Sequence, residues 1–158
     1  MGEQETEVKF FVRDLKKVEL RLLELKAQLI QPRVHEINFR YDLPDGSMRT
    51  NGRVLRIRQD AVATITYKGP SDLEDGVFSR QELETQIGDF ETAHKILIAL
   101  GYVKIIKKKK FRAVYEIDGY HIMLDELPYG DFVEVEGANG AGIRAMSKRL
   151  ELNIEAAV

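Results

Sequence analysis

Two carboxylates and an ammonium alternate with other side chains in Glu5-Thr6-Glu7-Val8-Lys9-Phe10. In an extended chain successive side chains point to opposite faces, so Glu5, Glu7, Lys9 and Phe11 share one side and Thr6, Val8, Phe10 and Val12 the other. Carboxylate oxygens suit a hard divalent cation and lysine is a compact charge for a phosphoryl oxygen, so this spacing could hold a metal ion and a phosphate together. A solvated strand face would show the same alternation, and recurrence along the chain decides between the two. Arg56 and Arg58 alternate with Leu55 and Ile57, and Lys68 closes the alternating run 63–68. Arg80, Glu82 and Glu84 alternate with Gln81 and Leu83, Lys110 and Arg112 flank Phe111, and Glu134 and Glu136 alternate with Val133 and Val135. An ordinary outward sheet face scatters Thr, Ser, Lys and Glu, whereas these charges fall in tight i, i+2 doublets. The pattern suits a sheet whose polar face is enclosed, a closed barrel with a charged lumen and helices over its apolar exterior.

The elements that must position these doublets are legible from spacing. A first strand covers 5–12. Asp14 is placed to cap a helix whose Leu15, Val18, Leu22, Leu25 and Leu29 form one apolar stripe, ended by Pro32. Residues 34–42 read as a strand before the turn Pro44-Asp45-Gly46-Ser47, and strands follow at 54–60 and 63–68. An acidic loop, 71–76, precedes a strand at 77–87. Asp89 caps a second helix carrying Phe90, Ala93, Leu97 and Leu100, with Gly101 at its end. Strands at 102–117 and 120–126 are joined by the hairpin signal Asp118-Gly119, and 131–136 is the last strand. A short final helix uses Ile143, Met146 and Leu150. Phe39 and Tyr41 read as core aromatics.

Composition narrows the function classes. The 158 residues suit a single domain, 1–158, and 44% hydrophobic content is enough for a core. With 24 basic against 26 acidic residues the net charge is −2, so no global basic field points to a nucleic acid partner. Absence of cysteine removes disulfides and thiolate chemistry. The start is polar and acidic, and no apolar run is long enough to span a bilayer, so a cytoplasmic location without a membrane partner is expected. His35, His94 and His121 are too scattered to form a metal constellation, and His94 reads as a surface or edge residue of a helix. Alternation in Lys107-Lys108-Lys109-Lys110 sends half the run to the opposite face. No G-x-x-x-x-G-K-[ST] loop is present, so phosphate binding is not of the P-loop kind.

The ordered set Glu5-x-Glu7-x-Lys9, Arg56-x-Arg58, Lys68 within Tyr67-Lys68-Gly69-Pro70, Arg80-x-Glu82-x-Glu84, Lys110-x-Arg112, Asp125 and Phe132-x-Glu134-x-Glu136 resembles the CYTH superfamily, the triphosphate tunnel metalloenzymes. That family includes class IV adenylyl cyclases, thiamine triphosphatases and inorganic triphosphatases. The resemblance runs from Glu5 to about Glu136. It implies an α+β fold, an antiparallel eight-stranded β-barrel tunnel with flanking helices. It also implies that Glu5, Glu7, Glu134 and Glu136, with Asp125, Glu82 and Glu84 as second candidates, bind Mg2+ or Mn2+. Lys9, Arg56, Arg58, Lys68, Lys110 and Arg112, with Arg80 as a further contact, would then match the charge of a triphosphate-containing small molecule. Glu7, Glu136 and Lys9 carry the catalytic assignment. A homodimer fits family habit, and members of the family continue for a further helical segment, so a shortened C-terminus is expected.

One strand departs from the family pattern. Where the family carries a Gln-x-Asp-x-Tyr-Phe type sequence, this chain reads Glu36-Ile37-Asn38-Phe39-Arg40-Tyr41, with Asn38 in place of an acid and Arg40 in place of an aromatic residue. The change touches base recognition and substrate orientation and leaves the charged doublets intact. Three functions stand open. The first is a metal-dependent triphosphatase, in which water attacks the terminal phosphorus. The second is a class IV adenylyl cyclase, in which the ribose hydroxyl attacks the alpha phosphorus of ATP and pyrophosphate leaves. The third is a noncatalytic polyphosphate-binding module, which would gain little from carboxylates in its pocket. Cyclisation demands a defined nucleoside site, for which the sequence offers no signature, and this favours the hydrolase.

Overall fold

The structure is a computed structural model and describes residues 4–74 and 76–158. The chain runs β1 (Gln4–Val12), α1 (Leu15–Glu24), β2 (Gln28–Asp42), α2 (Ser47–Thr50), β3 (Val54–Gln59), β4 (Ala63–Lys68), β5 (Asp72–Glu74), β6 (Val77–Ile87), α3 (Phe90–Ala99), β7 (Val103–Ile117), β8 (Tyr120–Leu127), β9 (Gly130–Glu136) and α4 (Gly140–Arg149), ending in a 3-10 turn at Ile154–Ala156. The strands form one sheet in the order β1-β9-β8-β7-β2-β3-β4-β6-β5, and β6 pairs in addition with β1. All strand pairs with a defined register are antiparallel. The expected α+β class, with eight long antiparallel strands and flanking helices, is the one observed; β5 is a three-residue addition on β6 within what reads in sequence as an acidic loop.

Two compact units divide the chain, one built from His35–Ser71 and Arg80–Lys109, the other from Glu5–Val34, Asp72–Ser79 and Lys110–Val158. Each has its own core, and in each the two-residue strand period puts apolar side chains on one face. In the second unit Val8, Phe10, Ala113, Tyr115, Ile122, Leu124, Val133 and Val135 pack with Val18 and Leu22 of α1 and Ile143 and Met146 of α4. In the first unit Phe39, Tyr41 and Ile57 pack with Leu97 of α3. Tyr41 is buried as expected, and burial, with Glu91 adding to it, pushes its hydroxyl up to about 12. His94, read as a surface or edge residue of its helix, is half-buried at the edge of this core. Its ring packs edge-on against Phe39 and its Nδ1 lies 2.7 Å from the Tyr41 hydroxyl. Lys104 and Lys107 stand over the Phe39 ring, with Nζ 4.3 and 5.9 Å from its centroid.

Capping accounts for where the helices begin and end. The carboxylates of Asp14 and Asp89 accept from the Lys17 and Thr92 amides and start α1 and α3. Helix α3 ends as read, with Gly101 at φ +99° and the Tyr102 amide donating to the Leu97 carbonyl. The same closing motif ends α1 at Glu24, well before Pro32. Lys26 takes φ 60°, its amide donates to Leu23 and the Ala27 amide donates to Leu22. Consequently Leu29 is a half-exposed strand residue and not part of the helix stripe, and Pro32 sits within β2. Pro32 lies outside the Ile37–Tyr41 stretch that pairs with β3, so it takes no place in that ladder. After β2, the carboxylate of Asp42 accepts from the Leu43, Met48 and Arg49 amides and turns the expected loop into the single turn α2. Burial alone would raise the Asp42 carboxyl, but these three bonds hold it below its ordinary value.

These ends are testable. Lys26 occupies a left-handed conformation that disfavours any side chain by roughly 1–2 kcal/mol, so Lys26→Gly should stabilise the protein by about 1 kcal/mol in urea unfolding. Leu29→Ala should change stability by no more than about 0.5 kcal/mol, whereas a position in the helix stripe would cost several times that.

Candidate functional site

The strand registers turn the sequence doublets into two charged faces, one in each unit. In the second unit Glu7 of β1 is the direct partner of Glu136 of β9, and Lys9 the partner of Glu134. Across β8 the rows continue, Glu136 to His121 and Phe132 to Asp125, and from Asp125 to Arg112 of β7. Glu5, Glu7, Lys9, Lys110, Arg112, Asp125, Glu134 and Glu136 therefore share one face, opposite the core formed by Val8, Phe10, Leu124 and Val133. Asp125 is fully buried. It accepts from Lys110 Nζ at 3.1 Å, Arg112 Nε at 2.6 Å and Arg112 Nη2 at 2.7 Å. The same Arg112 reaches Glu134 at 3.3 Å, and Lys9 Nζ lies 3.6 Å from the other Glu134 oxygen. His121 stands between two acids, 3.3 Å from Glu116 and 3.9 Å from Glu136. Acids outnumber bases here, and Glu5 is also buried.

The first unit carries the opposite sign. Arg40 of β2 is the direct partner of Arg56 of β3, Arg56 of Thr66 on β4, and Thr66 of Glu84 on β6. The neighbouring rows run Asn38-Arg58-Thr64 and Val54-Lys68-Glu82. Glu84 Oε2 accepts from the Thr66 hydroxyl at 2.6 Å and lies 3.8 Å from Arg56 and 3.7 Å from Arg58. Lys68 is buried and stands 3.5 Å from Glu82. Arg80 shares the parity of Glu82 on β6. The inversion expected from sequence is visible in exposure: Thr64, Thr66 and Lys68 are buried, while Leu83, between Glu82 and Glu84, is 39% exposed. Bases outnumber acids on this face, and no aromatic ring of β2 belongs to it, because Phe39 and Tyr41 point into the core.

Arg40 was not assigned a role from sequence. Its signal was the departure from the family strand, read as an altered aromatic position. The register shows instead a guanidinium placed directly across from Arg56. Like charges opposite one another in a sheet are destabilising, and a pair of arginine forks on adjacent strands is suited to reading the oxygens of one anion.

The carboxylate pair Glu7 and Glu136 poses the same problem with the opposite sign. Among the described residues no group of three or more His, Cys, Asp or Glu side chains gathers in a form that could hold a metal ion. A carboxylate pair is nonetheless the donor set that Mg2+ commonly takes from a protein, since it keeps waters and completes its shell with substrate phosphate. Glu134 and Glu5 flank that pair by parity. Asp125 has both oxygens committed to Lys110 and Arg112, and Glu82 and Glu84 stand among cations, so these three fit the placing of bases better than the binding of a cation. Removing the buried Asp125 carboxylate leaves Lys110 and Arg112 without their anchor. Asp125→Ala should therefore cost about 3–5 kcal/mol in urea unfolding.

The CYTH domain profile matches residues 3–144. A protein of Methanocaldococcus jannaschii, provisionally named an adenylate cyclase, is 29% identical over 134 residues, covering 84% of this chain and 75% of that protein. An adenylate cyclase of Aeromonas hydrophila is 27% identical over 139 residues, covering 85% of this chain and 69% of its own length. Among solved structures, a provisionally named adenylate cyclase of Vibrio parahaemolyticus superposes with a TM-score of 0.89 at 20% identity, over 100% of this chain and 94% of that one. A Hippeastrum protein, provisionally named an adenylyl cyclase and described as having a dominant triphosphatase activity, superposes with a TM-score of 0.69 at 18% identity, over 94% and 88% of the two chains.

Proposed function

We propose that this chain, which belongs to the CYTH domain family, is a divalent-metal-dependent triphosphatase that acts on a triphosphate-containing small molecule. The observation that carries the reading is the pairing of like charges in both units: Arg40 across from Arg56, and Glu7 across from Glu136. Phosphoryl oxygens are the complement of the arginine pair and a divalent cation that of the carboxylate pair. Arg40, Arg56, Arg58 and Lys68, with Arg80 beside them, grip phosphoryl oxygens by charge-assisted hydrogen bonds. In the second unit Lys110 and Arg112, fixed by Asp125, and Lys9, held beside Glu134, are likewise suited to phosphoryl oxygens.

Glu7 and Glu136 would hold Mg2+ or Mn2+, with Glu5 and Glu134 completing the acidic face. The cation supplies charge neutralisation at the phosphoryl group and lowers the pKa of water. The reaction forms a bond from a water oxygen to the terminal phosphorus and breaks the bridge to the neighbouring phosphate, releasing orthophosphate. Positioning and fixed charge carry the catalysis, and no protein nucleophile is required. The adenylyl cyclase reading has specific support in the names of the Methanocaldococcus and Aeromonas relatives. The hydrolase reading has support in the Hippeastrum neighbour and in the burial of Phe39 and Tyr41 away from the arginine face.

Incubation with ATP and with inorganic triphosphate, each with Mg2+ and with Mn2+, decides between them. Orthophosphate with ADP or diphosphate is the expected product set. Cyclic AMP with pyrophosphate would establish the cyclase instead, and chelation should stop turnover until metal is restored. Glu7→Gln and Glu136→Gln should each abolish turnover with the circular dichroism spectrum unchanged. Arg40→Ala and Arg56→Ala should each weaken triphosphate binding by about ten- to a hundredfold, with the metal requirement retained.

A further inference from the structure

The charged face of the second unit ends in aromatic rings. Phe11 of β1 is the register partner of Phe132 of β9, one row beyond Lys9 and Glu134. Their rings meet edge to face with centroids 5.6 Å apart, and Tyr129, just before β9, meets Phe132 in the same way at 5.9 Å. Lys9 Nζ stands 5.4 Å from the Phe132 centroid, which ties the rings to the charged row. Phe132 is the shared member, while Phe11 is 53% and Tyr129 67% exposed. Exposed apolar side chains are ordinary when scattered, but contiguous aromatic rings beside a polar site mark a ligand surface.

The cluster is also preorganised. Gly130 has φ +150°, and a Cβ there would lie 2.7 Å from the Phe11 ring. Only glycine at this turn lets the phenyl ring lie against the backbone between Tyr129 and Phe132. One edge of Phe11 is thus fixed by the β8–β9 turn while the remainder stays open.

From this arrangement we propose that Phe11, Tyr129 and Phe132 form a stacking site for the base of a nucleoside triphosphate. The proposal deepens the triphosphatase reading and rests on it for the position of the phosphates. Along β1, Phe11 is roughly 7 Å from Lys9 and roughly 13 Å from Glu7 at about 3.3–3.4 Å per residue. That span matches an extended nucleoside triphosphate, with its terminal phosphate at the Glu7 and Glu136 row, its chain passing Lys9, and its base at Phe11 and Phe132. Aromatic stacking accepts any base through its π face, which explains why no hydrogen-bonding signature for a base is present in the sequence. Inorganic triphosphate would bind the same charged row without touching the rings.

Calorimetric titration with the β,γ-imido analogue of ATP and with inorganic imidotriphosphate, both with Mg2+, separates the two contributions. Phe11→Ala and Tyr129→Ala should each raise the Kd for the ATP analogue by about tenfold while leaving that for imidotriphosphate within about twofold. Phe11→Trp should retain wild-type affinity for both. Both alanine positions are exposed, so the folded state is expected to persist, and unchanged imidotriphosphate binding verifies it. Equal weakening of both ligands, or no weakening of the ATP analogue in either variant, would overturn the stacking site. The selective loss together with an absence of orthophosphate release from ATP would uphold the base site and overturn the hydrolase reading alone.

Discussion

Like charges directly opposite one another on neighbouring strands constrain this protein more than any other feature. Arg40 faces Arg56 and Glu7 faces Glu136, so each unit holds a pair whose members repel. The register cannot slip to relieve this. A shift of one residue would turn Val8, Phe10, Val133 and Val135 out of one core, and Phe39, Tyr41 and Ile57 out of the other. Apolar burial therefore holds the charges where electrostatics alone would not leave them.

Ion pairs and hydrogen bonds around these charges hold them in place. Asp125, fully buried, fixes Lys110 and Arg112 side by side, and Arg112 in turn reaches Glu134. A buried ion pair adds little net stability once desolvation is counted. Its effect is positional, because it leaves Lys110 and Arg112 preorganised at one end of the acidic face. Thr66 and Glu84 act alike in the other unit, drawing Arg56 and Arg58 towards one carboxylate oxygen. Preorganised donors lose little freedom when an anion arrives, which is the condition for strong charge stabilisation in a reaction.

Much of this could be read from the sequence because strand parity is strict. The doublets at Glu5 and Glu7, Arg56 and Arg58, and Glu134 and Glu136 lie on the faces that alternation assigns them. The caps at Asp14 and Asp89 and the glycine stop at Gly101 hold as well. Two kinds of feature were not legible. Helix α1 ends on Lys26 in a left-handed conformation, a place where glycine is the usual signal, so the apolar stripe seemed to run on through Leu29. Glu151 closes α4 in the same way at φ 62°. Cross-strand partnership was the second hidden feature, since which strand lies beside β2 is a property of the sheet and not of local pattern. Arg40 gained its meaning only when β3 was seen to lie alongside. The aromatic row of Phe11 and Phe132 was concealed for the same reason, because the two residues are far apart in the chain.

The central claim is that the opposed charges are the binding groups for a triphosphate and its cation. Anomalous diffraction from a crystal grown with Mn2+ and inorganic imidotriphosphate tests it most directly. The account predicts an anomalous peak within coordinating distance of both Glu7 and Glu136, about 2.0–2.3 Å from their oxygens, with phosphoryl oxygens bonded to Lys9 or Arg112. A peak coordinated by other residues, or a triphosphate that touches neither of these bases, would contradict it.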